Sequence, residues 1–337
     1  MGNEKKAGLV TFVVLLLFLS GFLFSQGEKI TPVPLAENLY LIPGLGGNIV
    51  FLVTEEGVLV IDSGSMSHHG KQISEAIASI SPRPVKYLVL THYHYDHTGG
   101  AMCFPPDVKV VAHSKLEKNL LEKSGPLIQK LALPQFSVYL KVLEAKVMKF
   151  ESDKSPDLEA ARGQLEFVRS LYNELKNFTP FQPDITFETK KVIRLGGETI
   201  ELIYMGPGHT DDNCLVYFPE RKLLHTGDLF VNGVCPFIDE LANADIRNWI
   251  LILKDIIDHH QSDIIVPGHG KPGNTEDLKK THALLVELRD AVAQCLKKGF
   301  NLDQTRREIE LPSFKDLQAL DLLKYGIDAV YNQLKAN

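Results

Sequence analysis

The chain has 337 residues, 44% of them hydrophobic and 23% charged, with a formal net charge of −6. That composition excludes a disordered or low-complexity chain, and the length is ample for a large buried core. The acidic balance disfavours a phosphate backbone as the main partner, so no nucleic-acid binding is expected.

Lys5 and Lys6 precede an apolar stretch from Leu9 to Phe24, broken by Thr11, Ser20 and Gly21. A basic start and an apolar run of this kind read as a signal peptide over residues 1–25, which places the protein in the periplasm or outside the cell. An uncleaved anchor is the alternative reading, and only then is membrane contact expected. A lipid-modified anchor is disfavoured because no cysteine precedes Cys103. Cys103, Cys214, Cys235 and Cys295 show no C-x-x-C spacing. Export permits disulfides, but their pairing is not written in the sequence, and buried free thiols are the default.

From Leu39 to Asp62 the sequence reads as short strands separated by Gly44-Leu45-Gly46-Gly47 and Glu55-Glu56-Gly57. A helix from about His69 to Ile80 is stopped by Pro82 and Pro84. Tyr87-Leu88-Val89-Leu90 reads as a buried strand and Val108–Ala112 as another, an alternation that suits strands covered by helices. An excess of residues, about 114–180, holds Leu127–Leu131, a helical Val138–Phe150 segment, and a stripe of Leu165, Val168, Leu171, Tyr172 and Leu175. These predict two or three amphipathic helices, either packed on the rest of the fold or capping a site. If their Lys130, Lys141, Lys146, Lys149 and Lys154 overhang that site, anionic substrates are favoured. Beyond residue 275, Asn274–Asp277 reads as a helix start. Leu278, Leu285, Leu288, Val292 and Leu296 mark one helix face, ended by Gly299. A further helix is predicted over Asp316 to Leu334. Residues 276–337 thus form a C-terminal helical extension, with core packing preferred over a dimer contact.

The run Thr91-His92-Tyr93-His94-Tyr95-Asp96-His97-Thr98-Gly99-Gly100 follows the Tyr87–Leu90 strand directly. In a loop leaving a strand end, His92 and His94 can point one way while Asp96 and His97 turn to a neighbouring point, which suits two adjacent metals. Imidazole and carboxylate without thiolate favour zinc, with iron or manganese as alternatives. His209 in Gly206-Pro207-Gly208-His209-Thr210, Asp228 in Leu224-His225-Thr226-Gly227-Asp228, and His269 in Val266-Pro267-Gly268-His269-Gly270 each lie just past a strand-like run. Loops at strand ends are where a rigid sheet presents functional groups. Among the remaining residues, His225 reads as a packed strand histidine, and His68-His69 and His259-His260 as exposed. Asn48, Asn232 and Cys235-Pro236-Phe237 are placed to line a cleft, with Asn232 the substrate-contact candidate. Trp249 reads as core.

The motif His-x-His-x-Asp-His, followed by isolated His, Asp and His, resembles the metallo-β-lactamase-fold hydrolases over roughly residues 39–275. The resemblance implies an α+β fold, a four-layer αββα sandwich over residues 30–275 carrying the inserted helical segment and C-terminal helices. It implies that His92, His94 and His209 hold one zinc ion, that Asp96, His97 and His269 hold a second, and that Asp228 bridges them. Asp62, in Leu59-Val60-Ile61-Asp62-Ser63-Gly64, matches an early Asp-x-Gly element that hydrogen-bonds the ligand loop. A turn residue at a strand end is the plainer reading, and both can hold. Two such cations generate hydroxide near neutral pH and stabilise an oxyanion, which suits opening an ester, thioester, lactone or β-lactam-type carbonyl of a small-molecule substrate. Asp96 and Asp228 are the residues assigned to catalysis, Asp96 relaying the proton.

Departures narrow the choice. The cysteine-containing β-lactamases place Cys where Asp228 stands, and flavo-diiron reductases carry Glu where His94 stands. Hydroxyacylglutathione hydrolases share the ligand set, but their Asn-Pro-Phe-x-Arg-like ending is absent. An exported dinuclear zinc hydrolase is the leading expectation. A mononuclear iron-dependent sulfur oxygenase on the same fold, and a non-enzymatic metal-binding module, are the alternatives. The sequence does not give the oligomeric state.

Overall fold

The computed structural model describes residues 30–260 and 262–336. The apolar N-terminal segment, read as a signal peptide or anchor, lies outside the described residues.

Seven strands form the first sheet in chain order: β1 Val33–Ala36, β2 Leu39–Leu45, β3 Gly47–Thr54, β4 Gly57–Ile61, β5 Val85–Leu90, β6 Lys109–His113 and β7 Ile185–Phe187. β1 to β4 pair antiparallel through short turns. β4 to β7 pair in parallel, which requires crossovers, and α1 (Ser67–Ala78) supplies the one between β4 and β5. Alternate side chains of these strands are buried on both faces. Ile49, Phe51, Val58, Val60 and Leu88 meet Ile73 and Ile77 of α1, whereas Val50, Leu52, Leu59, Ile61 and Val89 face inward.

Between β6 and β7 the chain leaves the sheet and forms α2 (Leu133–Ser152) and α3 (Leu158–Lys176). Arg162 reaches Glu151 at 2.8 Å and Arg169 reaches Glu144 at 3.0 Å, the pairing of an antiparallel helical hairpin. Of the expected stripe, Leu165, Val168, Leu171 and Leu175 are buried and Tyr172 partly so, but against the hairpin's own Phe136 and Leu143 more than against the sheets. Met66 and Tyr95 join this small core, and Glu174 accepts a hydrogen bond from Ser67 N at 2.8 Å. The insert is therefore fastened beside the His92–His97 loop. Lys141, Lys146 and Lys149 are exposed, Lys141 and Lys149 on the side of α2 away from its buried positions and Lys146 at the flank.

The second sheet has five strands, β8 Lys190–Leu195, β9 Glu198–Ile203, β10 Leu215–Phe218, β11 Leu223–His225 and β12 Ile264–Val266, in the order β12-β11-β10-β9-β8. Its Ile200, Leu202, Val216 and Phe218 complete the core between the sheets. Its outer face is covered by α4 (Ile246–His259) and α5 (Thr275–Lys297), with the short α6 (Leu302–Glu308) and then α7 (Leu323–Lys335). Trp249, Leu278, Leu285, Leu288 and Val330 share one core with Leu215, Leu224 and Ile265 of the sheet. Hence the architecture is the expected αββα sandwich, and the C-terminal helices are its outer layer.

Sequence boundaries were close for α5, whose N-cap Asn274 receives Glu276 N and Asp277 N and whose box is closed by Asp277. They were poor at the end of the chain. The helix expected from Asp316 begins at Leu323, because Ala319 adopts φ +52 and turns the chain before it. The cysteines are unpaired, with Cys214, Cys235 and Cys295 buried and Cys103 exposed.

Candidate metal centre

The ligand candidates converge at one edge of the sandwich because four strands end there. β5 runs into Thr91 and His92, and a single helical turn, Tyr95–Thr98, carries Asp96 and His97. The loops after β9, β11 and β12 bring His209, Asp228 and His269 to the same point. The residues fall into two sets, His92, His94, His209 and Asp228, and Asp96, His97 and His269, each able to hold a metal ion. In the first, His94 Nδ1 lies 3.0 Å from His92 Nε2 and 3.0 Å from His209 Nε2. In the second, His269 Nε2 lies 3.0 Å from Asp96 Oδ2 and 3.4 Å from His97 Nε2. Asp228 faces both sets: its Oδ2 is 3.5 Å from His209 Nε2 and 3.4 Å from His269 Nε2, and its Oδ1 is 3.2 Å from His97 Nε2. Two glycines allow this crowding. A Cβ on Gly268 would fall 1.8 Å from Asp228 Oδ1, and one on Gly47 would fall 2.4 Å from His97 Cε1.

Hydrogen bonds to the opposite ring nitrogens fix which atom faces inward. Asp62, fully buried at φ +64, accepts from Thr91 N at 2.8 Å, Thr91 Oγ1 at 2.9 Å and His97 Nδ1 at 2.7 Å. Since the Thr91 hydroxyl donates to Asp62, its oxygen accepts from His92 Nδ1 at 3.1 Å. His94 Nε2 donates to Asp239 Oδ2 at 2.9 Å, and the Tyr93 hydroxyl donates to the same oxygen. His209 Nδ1 donates to the Phe237 carbonyl at 2.7 Å. The inward nitrogens of His92, His94 and His209 therefore converge with few protons to share. One proton on His94 Nδ1 satisfies one of its two close nitrogen contacts, whereas a cation satisfies all three. Asp228 Oδ1, buried and without a hydrogen-bond partner, is a second group that a cation would complete. The residues fit metal ions.

Electrostatics divide the two sets. Burial, with His97 beside it, holds His92 well below the usual imidazole range, and burial pushes His209 down to about 4. Burial opposes charge on His94, but its bond to Asp239 outweighs it and raises the pKa. Burial also opposes charge on His97 and His269. There the carboxylates of Asp228 and Asp96 win, lifting His97 well above its ordinary value and His269 to about 10. The same pairing holds Asp96 and Asp228 low against their burial. In the metal-free protein the second set is thus held by ion pairs, and a divalent cation entering it displaces protons.

Other sequence expectations meet the structure unevenly. His225 is buried, with Nε2 donating to the Asn48 carbonyl at 3.2 Å and Nδ1 accepting from Gly227 N at 3.1 Å, a packing role. Asn48 does not line an open cleft. It is buried, and its amide donates to the carbonyls of Pro267 at 2.9 Å and Gly270 at 2.8 Å, clamping the His269 loop. The amide of Asn232 points to the same loop, donating to the Lys271 carbonyl at 2.9 Å, and its backbone N donates to the His269 carbonyl at 2.9 Å. Its side chain is thereby committed to the loop. Trp249 is core, donating from Nε1 to the Leu229 carbonyl at 2.8 Å, with its ring 5.6 Å from that of His209. His69 is not exposed: its Nδ1 accepts from Ser65 N and Met66 N at the start of α1, and burial pushes it down to about 4. His259 is exposed, but His260 is half-buried against Tyr217. Asp239 was missed. It precedes a short turn whose Leu241 N and Ala242 N it caps, so in sequence it looks like a capping residue and nothing ties it to His94.

Comparison with known proteins agrees with this geometry. A model of the metallo-beta-lactamase superfamily matches residues 42–269. A linear primary-alkylsulfatase from Pseudomonas sp. (strain ATCC 19151) is 23% identical over 275 residues, covering 76% of this chain and 48% of its own. A type 2 metallo-beta-lactamase from Bacillus sp. (strain 170) is 23% identical over 240 residues, covering 71% of this chain and 72% of its own. Among solved structures, the inverting sec-alkylsulfatase Pisa1 from Pseudomonas sp. superimposes with a TM-score of 0.63 at 17% identity, over 90% of this chain and 50% of that one. A metallo-beta-lactamase from Pontibacter korlensis gives 0.55 at 22% identity, over 77% and 99%. The chain spans about half the length of the alkylsulfatases it matches. Fold and site define a metallo-beta-lactamase architecture with a candidate metal centre at the edge of its two sheets. The chain belongs to the metallo-beta-lactamase superfamily.

Proposed function

We propose that the protein is an exported dinuclear zinc hydrolase acting on small molecules with an ester, thioester, lactone or β-lactam-type carbonyl. His92, His94 and His209 hold one ion, Asp96, His97 and His269 the other, and Asp228 spans the two. The observation that carries this reading is the placement of Asp228 within 3.5 Å of nitrogens from both sets. Bound there, two divalent cations supply Lewis acidity and lower the pKa of water. The chain's own residues do the rest. Asp62, Asp239 and the Phe237 carbonyl hold the rings of His97, His94 and His209, so little reorganises during reaction. His92 and His97 are sealed from solvent, while the side chains of His94 and His269 keep 14% and 16% exposure, so substrate reaches the site from that side. Phe237, its ring 5.8 Å from His94, gives that approach an apolar wall. Asp96, beside His269, is placed to accept and pass on a proton. Export rests on the basic and apolar N-terminal segment.

A second substrate reading has one support, the alkylsulfatase relative that spans 76% of this chain. It places a sulfate ester in the same site. A panel of lactones, thioesters, β-lactams and primary and secondary alkyl sulfates, run on zinc-loaded protein with metal content measured alongside, separates the readings. Turnover confined to sulfates replaces the carbonyl assignment. One tightly bound iron with no second metal overturns the dinuclear hydrolase altogether.

A further inference from the structure

Aliphatic side chains lie in water along the outer face of α2: Val138 is 64% exposed, Val142 57% and Met148 70%. With Ala145 and Lys149 they make one broad outward face along the helix, turned away from the buried Phe136 and Leu143. Water-facing positions of a helix ordinarily carry charge. Here the charges that accompany the stripe are Lys141, Lys146 and Lys149, all exposed. The acids of the helix are turned aside. Glu144 and Glu151 pair with Arg169 and Arg162 of α3, leaving Asp153, at the helix end, beside Lys149 at 2.6 Å. An apolar and basic face thus stands out on a chain whose net charge is −6.

We propose that this face docks on an anionic phospholipid surface, with α2 lying along the plane of the headgroups. The aliphatic stripe enters the acyl boundary while the lysines extend to the phosphates. A second copy of the chain fits less well, since a twofold contact would set the same lysines against each other. Among the described residues no helix is long and apolar enough to cross a membrane, so contact by the fold itself is peripheral. The N-terminal sequence points the same way. Its apolar run ends at Phe24, six residues before Ile30, so a retained segment tethers the fold within about 20 Å of a bilayer.

The test reads α2 itself, whatever the N-terminal segment does. In the full chain with Cys103→Ser, Val142→Cys is compared with Arg307→Cys, on α6, for reaction with a maleimide. The vesicles are phosphatidylcholine alone or with about one third phosphatidylglycerol. The expected result is slowing of position 142 by about tenfold or more in the anionic vesicles alone, with position 307 unchanged. High salt should reverse the slowing. Lys141→Glu, Lys146→Glu and Lys149→Glu together should weaken vesicle association by about a hundredfold. Three results overturn the proposal: no slowing, equal slowing in neutral vesicles, or slowing without vesicles that grows with protein concentration, which identifies a second copy as the occupant.

Discussion

Replacing Asp62 with asparagine separates the two ligand sets. Asp62 lies outside both but holds His97 Nδ1 at 2.7 Å and both polar groups of Thr91. Asparagine fits the same space and tolerates the φ of +64 as well as aspartate does. With its amide oxygen kept on Thr91 N, its NH₂ group faces His97 Nδ1. Two donors then oppose each other, and the His97 proton is driven to Nε2, the nitrogen aimed at Asp228 3.2 Å away. The Thr91 hydroxyl loses the same Asp62 oxygen, but its own oxygen can still accept from His92 Nδ1, so the first set is disturbed less than the second. A hydrogen bond to a charged acceptor is worth about 1.5–3 kcal/mol, and loss of such a supporting contact costs roughly 10–100-fold in metal affinity. Asp62→Asn should therefore keep its fold and one tight zinc while the second weakens by that factor. Zinc titration against a competing chelator reads both steps. Equal weakening of both steps, or two steps unchanged, would refute the assignment of Asp62 to His97 and of His97 to a separate metal.

Zinc-loaded wild-type protein should hold two ions per chain by elemental analysis. Asp228→Ala should lower kcat/KM by on the order of 10²–10³-fold and weaken both metals, whereas His225→Ala should leave kcat/KM far less affected and cost about 1–3 kcal/mol of fold stability through its buried hydrogen bonds. Equal activity losses for the two would show that Asp228 is wrongly placed. His69, pushed down by burial to about 4 in the fold against 6.5 for an unperturbed imidazole, stays neutral when folded near neutral pH. Its contribution is complete above about pH 6.5 and is lost as pH falls toward 4, worth about 3 kcal/mol in all. His69→Gln keeps an acceptor for Ser65 N and Met66 N without titrating, so urea unfolding of the metal-free proteins should show a shallower loss from pH 7 to 4 than in wild type, and parallel curves would count against the buried neutral histidine.

The sandwich was legible because strands buried on both faces read as continuous aliphatic runs, as in Tyr87–Leu90 before His92. The seven clustered residues were legible because each lies directly after such a run. What supports them was not. Asp239 meets His94 from 145 positions away, and Asn48 clamps the His269 loop from 219 positions away at Pro267. No local spacing encodes either contact. His69 looked exposed because a polar helix start usually is, and only the packing of Leu45 and Ser65 around α1 buries it. The insert's stripe was read correctly as buried, but periodicity is silent on what buries it. The same apolar pattern serves a hairpin that closes on itself and a helix laid on a sheet.

The two sets of candidate ligands are drawn from both halves of the sandwich. His92, His94, Asp96 and His97 follow β5 of the first sheet, while His209, Asp228 and His269 follow β9, β11 and β12 of the second. Both clusters mix residues from the two sheets, so any ion seated there works as a clasp across the seam. Metal uptake would then report that the halves have closed on each other, and it would resist their parting at that edge. Chelation should loosen that rim while the Val50–Phe218 interior stays shut, and amide exchange in the His209 and His269 loops should quicken long before exchange in β3.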